Sequence, residues 1–384
     1  MKYASFLILL LLSLIMLAEK AFFLFLEPLQ RVSLYGTMEL LLLILLVLYG
    51  SWSFLKVGRT TTNQDVIAPF RLTRTSVGLI LLSLCVVGSS LVHTMYKKSL
   101  DWDAIALYDA RAQFLEADTS FSQMTELTKY DSKNGYYYLL YPPFTSITHY
   151  LWNQLDTSIS VSVLYTLSLA ALGLTVFLLL TPRLGYNWSL VATLLTISSE
   201  SLFNTSLVAY TNLPYTLYLG IGVLVLHKYL IERQTWALCF GAILVAGSQW
   251  IRFLEPSWIP VIVAFSIAAY LHLGFKKSYK AVIVLAVINL LAYFSWKYFS
   301  DVIANKEVIF STTPLRFLEP IVGIFTGSFL IIGLAYLRMW GKEIIIYIGA
   351  CLPLFLLQKN REWKPDLFLQ LLIIISFLMY FAGL

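Results

Sequence analysis

Three carboxylates and one guanidinium, Asp101, Asp103, Asp109 and Arg111, fall close together in one polar stretch of the chain. The same stretch closes on Tyr136-Tyr137-Tyr138, Tyr141 and Pro142-Pro143. A carboxylate can take the proton from a hydroxyl that is about to act as a nucleophile. A guanidinium recognises phosphate through two parallel hydrogen bonds. Aromatic faces stack on sugar rings, but tyrosine and tryptophan also belong at lipid headgroup level in any membrane protein, so the aromatics alone do not decide.

Residues 103–116 carry helical periodicity. Ile105, Tyr108, Ala112 and Leu115 form an apolar stripe at spacings of three and four, and Asp103, Asp109, Gln113 and Glu116 point away from it. Such a helix is expected to lie along the membrane surface with its carboxylates toward water or a cavity. Asp103 and Arg111 would be about 80° apart around it and about 12 Å apart along it, placed to hold two ends of one polar substrate rather than each other. An irregular polar stretch is expected over 117–135. Pro142-Pro143 then resets the chain direction before a helix through His149 and Trp152.

The elements around this segment are built for lipid. Of the 384 residues 59% are hydrophobic and only 12% charged, with a mean hydropathy of +0.77. Apolar runs of roughly 18 or more residues mark transmembrane helices. Spans are expected near 4–26, 34–55, 76–96, 158–180, 188–207, 212–227, 235–251, 257–273, 279–297, 321–338, 344–357 and 367–383. The fold class is therefore an all-α integral membrane protein, a polytopic bundle of about 11–12 transmembrane helices. It forms one domain over 1–384, with a large loop at 97–157 carrying interfacial amphipathic helices and the remaining spans in 158–384. The first run makes a poor signal peptide, because only Lys2 precedes it, no small-residue cleavage site follows, and Glu19-Lys20 interrupt it. It is read as the first span, or as a short span with an interfacial turn.

The formal charge of +6 is a topology signal. One set of alternate loops holds Lys2, Lys56, Arg59, Arg71, Arg74, Arg183, Lys228, Arg233, Lys276, Lys277, Lys280, Arg338 and Lys342 against only Asp65, Glu232 and Glu343. The opposite set has 13 basic and 15 acidic residues. The basic set marks the cytoplasmic side, which puts both termini there and segment 97–157 outside, and leaves no basis for nucleic-acid binding. A plasma membrane, bacterial and multi-pass, is the expected location.

Cys85, Cys239 and Cys351 all fall in expected spans and read as small buried hydrophobes. His93, His149, His227 and His272 show no zinc-ligand spacing. Phe-Leu-Glu-Pro recurs at 25–28, 253–256 and 317–320, each at an outer boundary, and arginine precedes the last two. Proline suits a first helical turn and a carboxylate the positive end of a helix, so Glu27 reads as a helix start. Arg252 and Glu255 carry charge at an apolar boundary, where ionisable groups need a partner or a polar cavity. Glu39 and Glu200 are the acids placed deep in spans, with no basic partner in either span.

Three stretches, in order, resemble the GT-C-fold glycosyltransferases related to protein O-mannosyltransferases and to the aminoarabinose transferase of lipid A. Asp103-Ala-Ile-Ala-Leu-Tyr108-Asp-Ala-Arg111-Ala with Tyr141-Pro142-Pro143 is similar to their first outer loop. Tyr210-Thr-Asn212-Leu-Pro214 is similar to their Tyr-x-Asp-Leu-Pro, and Trp250-Ile-Arg252-Phe-Leu-Glu255-Pro to a segment opening a later span. The resemblance implies a sugar moved from a polyprenyl-phosphate donor to an acceptor hydroxyl at the outer face, with inversion. Asp103 would be the catalytic base, and Arg111, Arg252 and Arg316 would hold the donor phosphate. Asp101, Asp109, Tyr141, Pro142, Asn212 and Glu255 would line the substrate site. Partners implied are the lipid-linked sugar, the bilayer, and a glycan, lipid or protein acceptor. The family aspartate is Asn212 here, a poorer ligand for magnesium or manganese, so no metal ligands are assigned and a divalent cation stays an open alternative. Two other classes stand beside this one: a transporter or flippase of lipid-linked saccharides, which calls for repeated halves and mid-membrane charges, and a polysaccharide polymerase or ligase using later arginines such as Arg316 and Arg361.

Overall fold

The computed structural model describes residues 2–27, 34–60, 73–96, 103–128, 141–155, 159–253, 257–304 and 366–382. Among these the regular structure is helical, with no strand. Among the described residues six helices are long and apolar enough to cross a membrane, and the protein is multi-pass. The expected spans 321–338 and 344–357, and with them Arg316, Arg361 and Cys351, lie outside the described residues, as do Asp101 and Glu255.

The chain divides into two compact units. The first contains α1 (Lys2–Leu26), α2 (Leu34–Thr60), α3 (Arg74–Tyr96), a π-helical turn (Ala104–Asp109) leading into α4 (Ala110–Glu116), α5 (Phe121–Thr128), α6 (Phe144–Leu155), α7 (Val163–Ile197), α8 (Glu200–Ser206), α9 (Asn212–Glu232), α10 (Thr235–Ile251) and the later part of α12 (Phe275–Ala304). The second contains α11 (Trp258–Leu273), the start of α12, and α13 (Leu367–Ala382). In that second unit Phe265 meets Phe368 edge-on at 5.8 Å.

Glu19 and Lys20 do not interrupt the first span, which runs as one helix through both. The partner that makes this tolerable comes from α2, where Glu39 accepts from Lys20 at 2.6 Å. Glu39 thus has a basic partner after all, on a different helix from its own. Cys239 is buried as expected, whereas Cys85 is exposed on α3.

A straight helix over Val163–Ile197 would be about 52 Å long, far more than a bilayer core of about 30 Å. It is not straight. Gly185 takes φ +74 and ψ 171, three residues after Pro182, and breaks the helix. Gly173 and Ile197, equidistant in sequence from the break, are so close that a Cβ on Gly173 would sit 2.8 Å from the Ile197 side chain. Phe177 likewise faces Tyr186, at 6.4 Å. The chain therefore doubles back as two antiparallel helices, as the two apolar runs at 158–180 and 188–207 lead one to expect. Gly274, at φ +75, makes the same break between α11 and α12.

Helix α10 is the centre of the first unit, every residue from Trp236 to Ile251 being buried. In lipid, apolar side chains gain little by meeting each other, so close backbone approach does the packing. Gly222 and Gly241 supply it. A Cβ on Gly222 would lie 3.0 Å from the Val245 nitrogen, and one on Gly241 3.1 Å from the Leu226 nitrogen.

Candidate functional site

The segment described at 103–128 and 141–155 packs over one end of the first unit, where α1 and α10 end and α7 and α9 begin. Its helices are set by local chemistry. The turn Ala104–Asp109 is π-helical, which adds a residue per turn and rotates the positions that follow. The buried face is Ala104, Leu107, Tyr108, Arg111, Ala112 and Leu115, while Ile105 is exposed. This corrects the expected stripe at two positions: Arg111 is inside and Ile105 outside. Gln113 and Glu116 do point outward as expected, and Asp103 and Asp109 are half-buried.

Helix α4 ends in a Schellman motif. Thr119 N donates to Phe114 O at 3.0 Å and Asp118 N to Leu115 O at 3.1 Å, with Asp118 in the left-handed region at φ 54. Directly after it Ser120 and Gln123 form a capping box, Ser120 N donating to Gln123 Oε1 and Gln123 N to Ser120 Oγ. That box starts α5, inside the stretch expected to be irregular. Ser120-Phe-Ser-Gln123 was the readable signal for it. Glu27 completes the junction. Its Oε1 accepts from Ser122 N at 3.3 Å, in the first turn of α5. The carboxylate serves the start of α5; the segment directly after Glu27 lies outside the described residues.

Tyr108 is the hub of the site. Its hydroxyl donates to Thr211 Oγ1 at 3.4 Å, its ring meets Tyr141 edge-on at 6.1 Å and His149 at 6.3 Å, and Arg111 and Asp103 are near enough to act on its charge. Burial pushes its phenol well above the usual tyrosine range, against the weaker pull of the Thr211 hydrogen bond, so Tyr108 keeps its proton and is no base. One residue beyond Thr211, Asn212 Oδ1 accepts from Arg252 Nη1. Arg111 lies with its guanidinium 4.8 Å over the Phe121 ring and donates to Tyr141 O at 3.1 Å, holding the Tyr-Pro-Pro turn against α4. Pro142 is buried beside it. The structure thus brings Asp103, Asp109, Arg111, Tyr141, Asn212 and Arg252 to one end of this unit. Arg111 is 1% exposed and turned inward, whereas Arg252 is half-exposed.

Several polar groups of this region were not legible. His149, fully buried on α6, joins Asp109 Oδ1 through Nδ1 at 2.6 Å and the Tyr165 hydroxyl through Nε2 at 2.7 Å. A carboxylate only accepts, so Nδ1 carries a proton toward Asp109, and in the neutral ring Nε2 then accepts from tyrosine. Carboxylate, imidazole and hydroxyl in line form the arrangement that moves a proton along a chain. Next to His149, Thr148 donates to Glu19 Oε1, on α1. A single histidine in a polar helix carries no signal of its own; its partners lie on other elements. Deeper in, Ser90 bonds both Thr166 at 2.7 Å and Ser206 at 2.8 Å. One turn below that cluster, an apolar cavity of about 630 Å³ opens between α3 and α7, lined by Leu84, Val87, Ala170, Leu174 and Phe177 among others.

No family model matches the chain, and neither a curated protein nor a solved structure is similar to it. Among the described residues no group of three or more His, Cys, Asp or Glu side chains is placed to share a metal ion.

Proposed function

We propose that the protein is a membrane glycosyltransferase of the GT-C kind, moving a sugar with inversion from a polyprenyl-phosphate donor to an acceptor hydroxyl at the outer face of a bacterial plasma membrane. The observation that carries this reading is the convergence on Tyr108 and Thr211 of three motifs far apart in sequence: Asp103–Arg111, the Tyr141-Pro142 turn, and the Asn212–Arg252 pair. In this reading Asp103 takes the proton from the acceptor oxygen as it attacks the anomeric carbon. Arg252, the half-exposed cation, balances the charge of the departing polyprenyl phosphate. Arg111 acts indirectly, by fixing the turn that carries Tyr141. The apolar cavity between α3 and α7 offers room for part of an isoprenoid chain.

The test is transfer of labelled sugar from polyprenyl-phosphate donors to an acceptor by the purified protein in nanodiscs. Asp103→Asn is expected to lower kcat by about 10²–10⁴, and Arg252→Ala to weaken donor use. Full transfer by Asp103→Asn, or no transfer of any sugar by the wild type, would sink the proposal. One observation favours the transporter alternative: Glu19, Lys20 and Glu39 are buried ionisable groups within spans. A flippase would move the donor across the bilayer with no glycosidic bond made, and the same preparation distinguishes the two.

A further inference from the structure

Glu19 and Lys20 are neighbours on α1, and the fold treats them in opposite ways. Lys20 is fully provided for: Glu39 Oε2 accepts from it at 2.6 Å, Ser295 Oγ at 3.4 Å, and its ammonium lies 3.8 Å from the centre of the Trp250 ring. Glu19 is equally buried, and no cation among the described residues is paired with it. Thr148 donates to its Oε1, and its Oε2 has no partner. The Thr145 and Ser146 hydroxyls, in the same first turns of α6, are buried and unpartnered as well. Glu19 acts in turn on two buried phenols of neighbouring helices, Tyr165 of α7 and Tyr218 of α9. Tyr218 donates to Leu12 O at 2.9 Å and is fixed there.

An ionised carboxylate placed so, without a counter-charge, costs several kcal/mol in desolvation, and a neutral acid avoids this. An ionisable group deep in a span is a functional site by default when a polar route reaches it. Glu19 lies near enough to Tyr165 to act on its charge, and a hydrogen-bonded chain leads on from Tyr165. Glu19 lies about 12 Å along α1 from Glu27, at the loop end. Tyr165, on which Glu19, Asp109 and Tyr108 all act, bonds His149, and His149 bonds Asp109, whose side chain is 38% exposed.

We propose that Glu19 is a proton-exchange site, loaded and unloaded from the loop face through Tyr165, His149 and Asp109. On unloading, the Glu19 carboxyl O–H gives its proton to the Tyr165 oxygen. The Tyr165 O–H proton passes to His149 Nε2, and the Nδ1 proton passes to the Asp109 carboxylate, which releases it to water. The Tyr165 and Asp109 oxygens each gain one proton and lose one, and His149 exchanges its Nδ1 proton for one on Nε2. The net change is one proton moved from Glu19 to water, with one negative charge left on Glu19. Loading is the reverse. The inference does not depend on whether the protein transfers or transports a sugar, since the infrared test follows proton exchange and needs no sugar substrate.

Infrared spectroscopy of the full-length protein in lipid nanodiscs, followed through exchange from water to heavy water, tests it. The wild type should show the C=O band of a protonated carboxyl at neutral pH, shifting promptly on deuteration, and Glu19→Gln should lack it. Tyr165→Phe and His149→Gln should keep the band but slow its shift about tenfold or more. An unchanged carboxyl band in Glu19→Gln would show Glu19 to be ionised and overturn the proposal. Wild-type exchange in both relay variants would overturn it too, and slowing in either one supports it.

Discussion

Replacing Lys20 by methionine isolates the worth of the buried ion pair on α1. The methionine stem can still cover Trp250, but Glu39, 1% exposed, is left facing apolar surroundings with its partner gone. Removing one member of a buried pair costs about 3–5 kcal/mol, mostly for the stranded charge. The lost cation–π contact adds about 0.5–2 kcal/mol, and a sulfur–aromatic contact returns about 0.3–1.5 kcal/mol. The net expectation is a loss of about 4 kcal/mol. Lys20→Met with Glu39→Leu strands nothing, and should lie within about 1 kcal/mol of wild type because a packed apolar pair is commonly as good as a buried ionic one. Both are measured by reversible detergent unfolding followed through tryptophan fluorescence, for which Trp250 sits at the site itself. A single variant losing under about 1 kcal/mol, or a double variant as unstable as the two singles added together, would refute this account of the pair.

Two further outcomes follow from packing and capping. Gly222→Ala and Gly241→Ala should each lose about 1–3 kcal/mol in the same unfolding assay, since each Cβ would press on backbone of the facing helix. Gly220→Ala has open space around it and should be neutral or gain up to about 1 kcal/mol from helix propensity. Ser120→Ala removes half of the capping box and should weaken α5 by about 1 kcal/mol, read as faster amide hydrogen exchange confined to 121–128.

Legibility along the chain follows from where the deciding partner lies. Helix α10 falls on the residues expected, 235–251, because an unbroken apolar run is bounded by Arg233 and Arg252. The doubling-back of α7 was readable from polar Arg183 and Asn187 between two oily runs. Over 103–116 the helix was legible but its buried face was only partly so. Arg111, a charged side chain bordering the apolar stripe, is inside, held by Phe121 and the Tyr141 carbonyl, and Ile105 at the stripe's other edge is outside. The Asp109–His149–Tyr165 chain and the Lys20–Glu39 pair each join residues on separate helices. Periodicity reports one element at a time, and such meetings arise only when elements dock.

Helix α1 has a practical consequence for anyone producing the protein. Its composition invites replacement by a generic leader or fusion anchor, the usual remedy for poor yield of an oily N-terminus. Yet one of its faces supplies the ammonium that Glu39 needs, another presents Glu19 to Thr148, and its tip caps α5 through Glu27. A chimera with a plain leucine helix in that place would insert in the bilayer and still fail to assemble, so tags belong ahead of Lys2 and leave the helix whole.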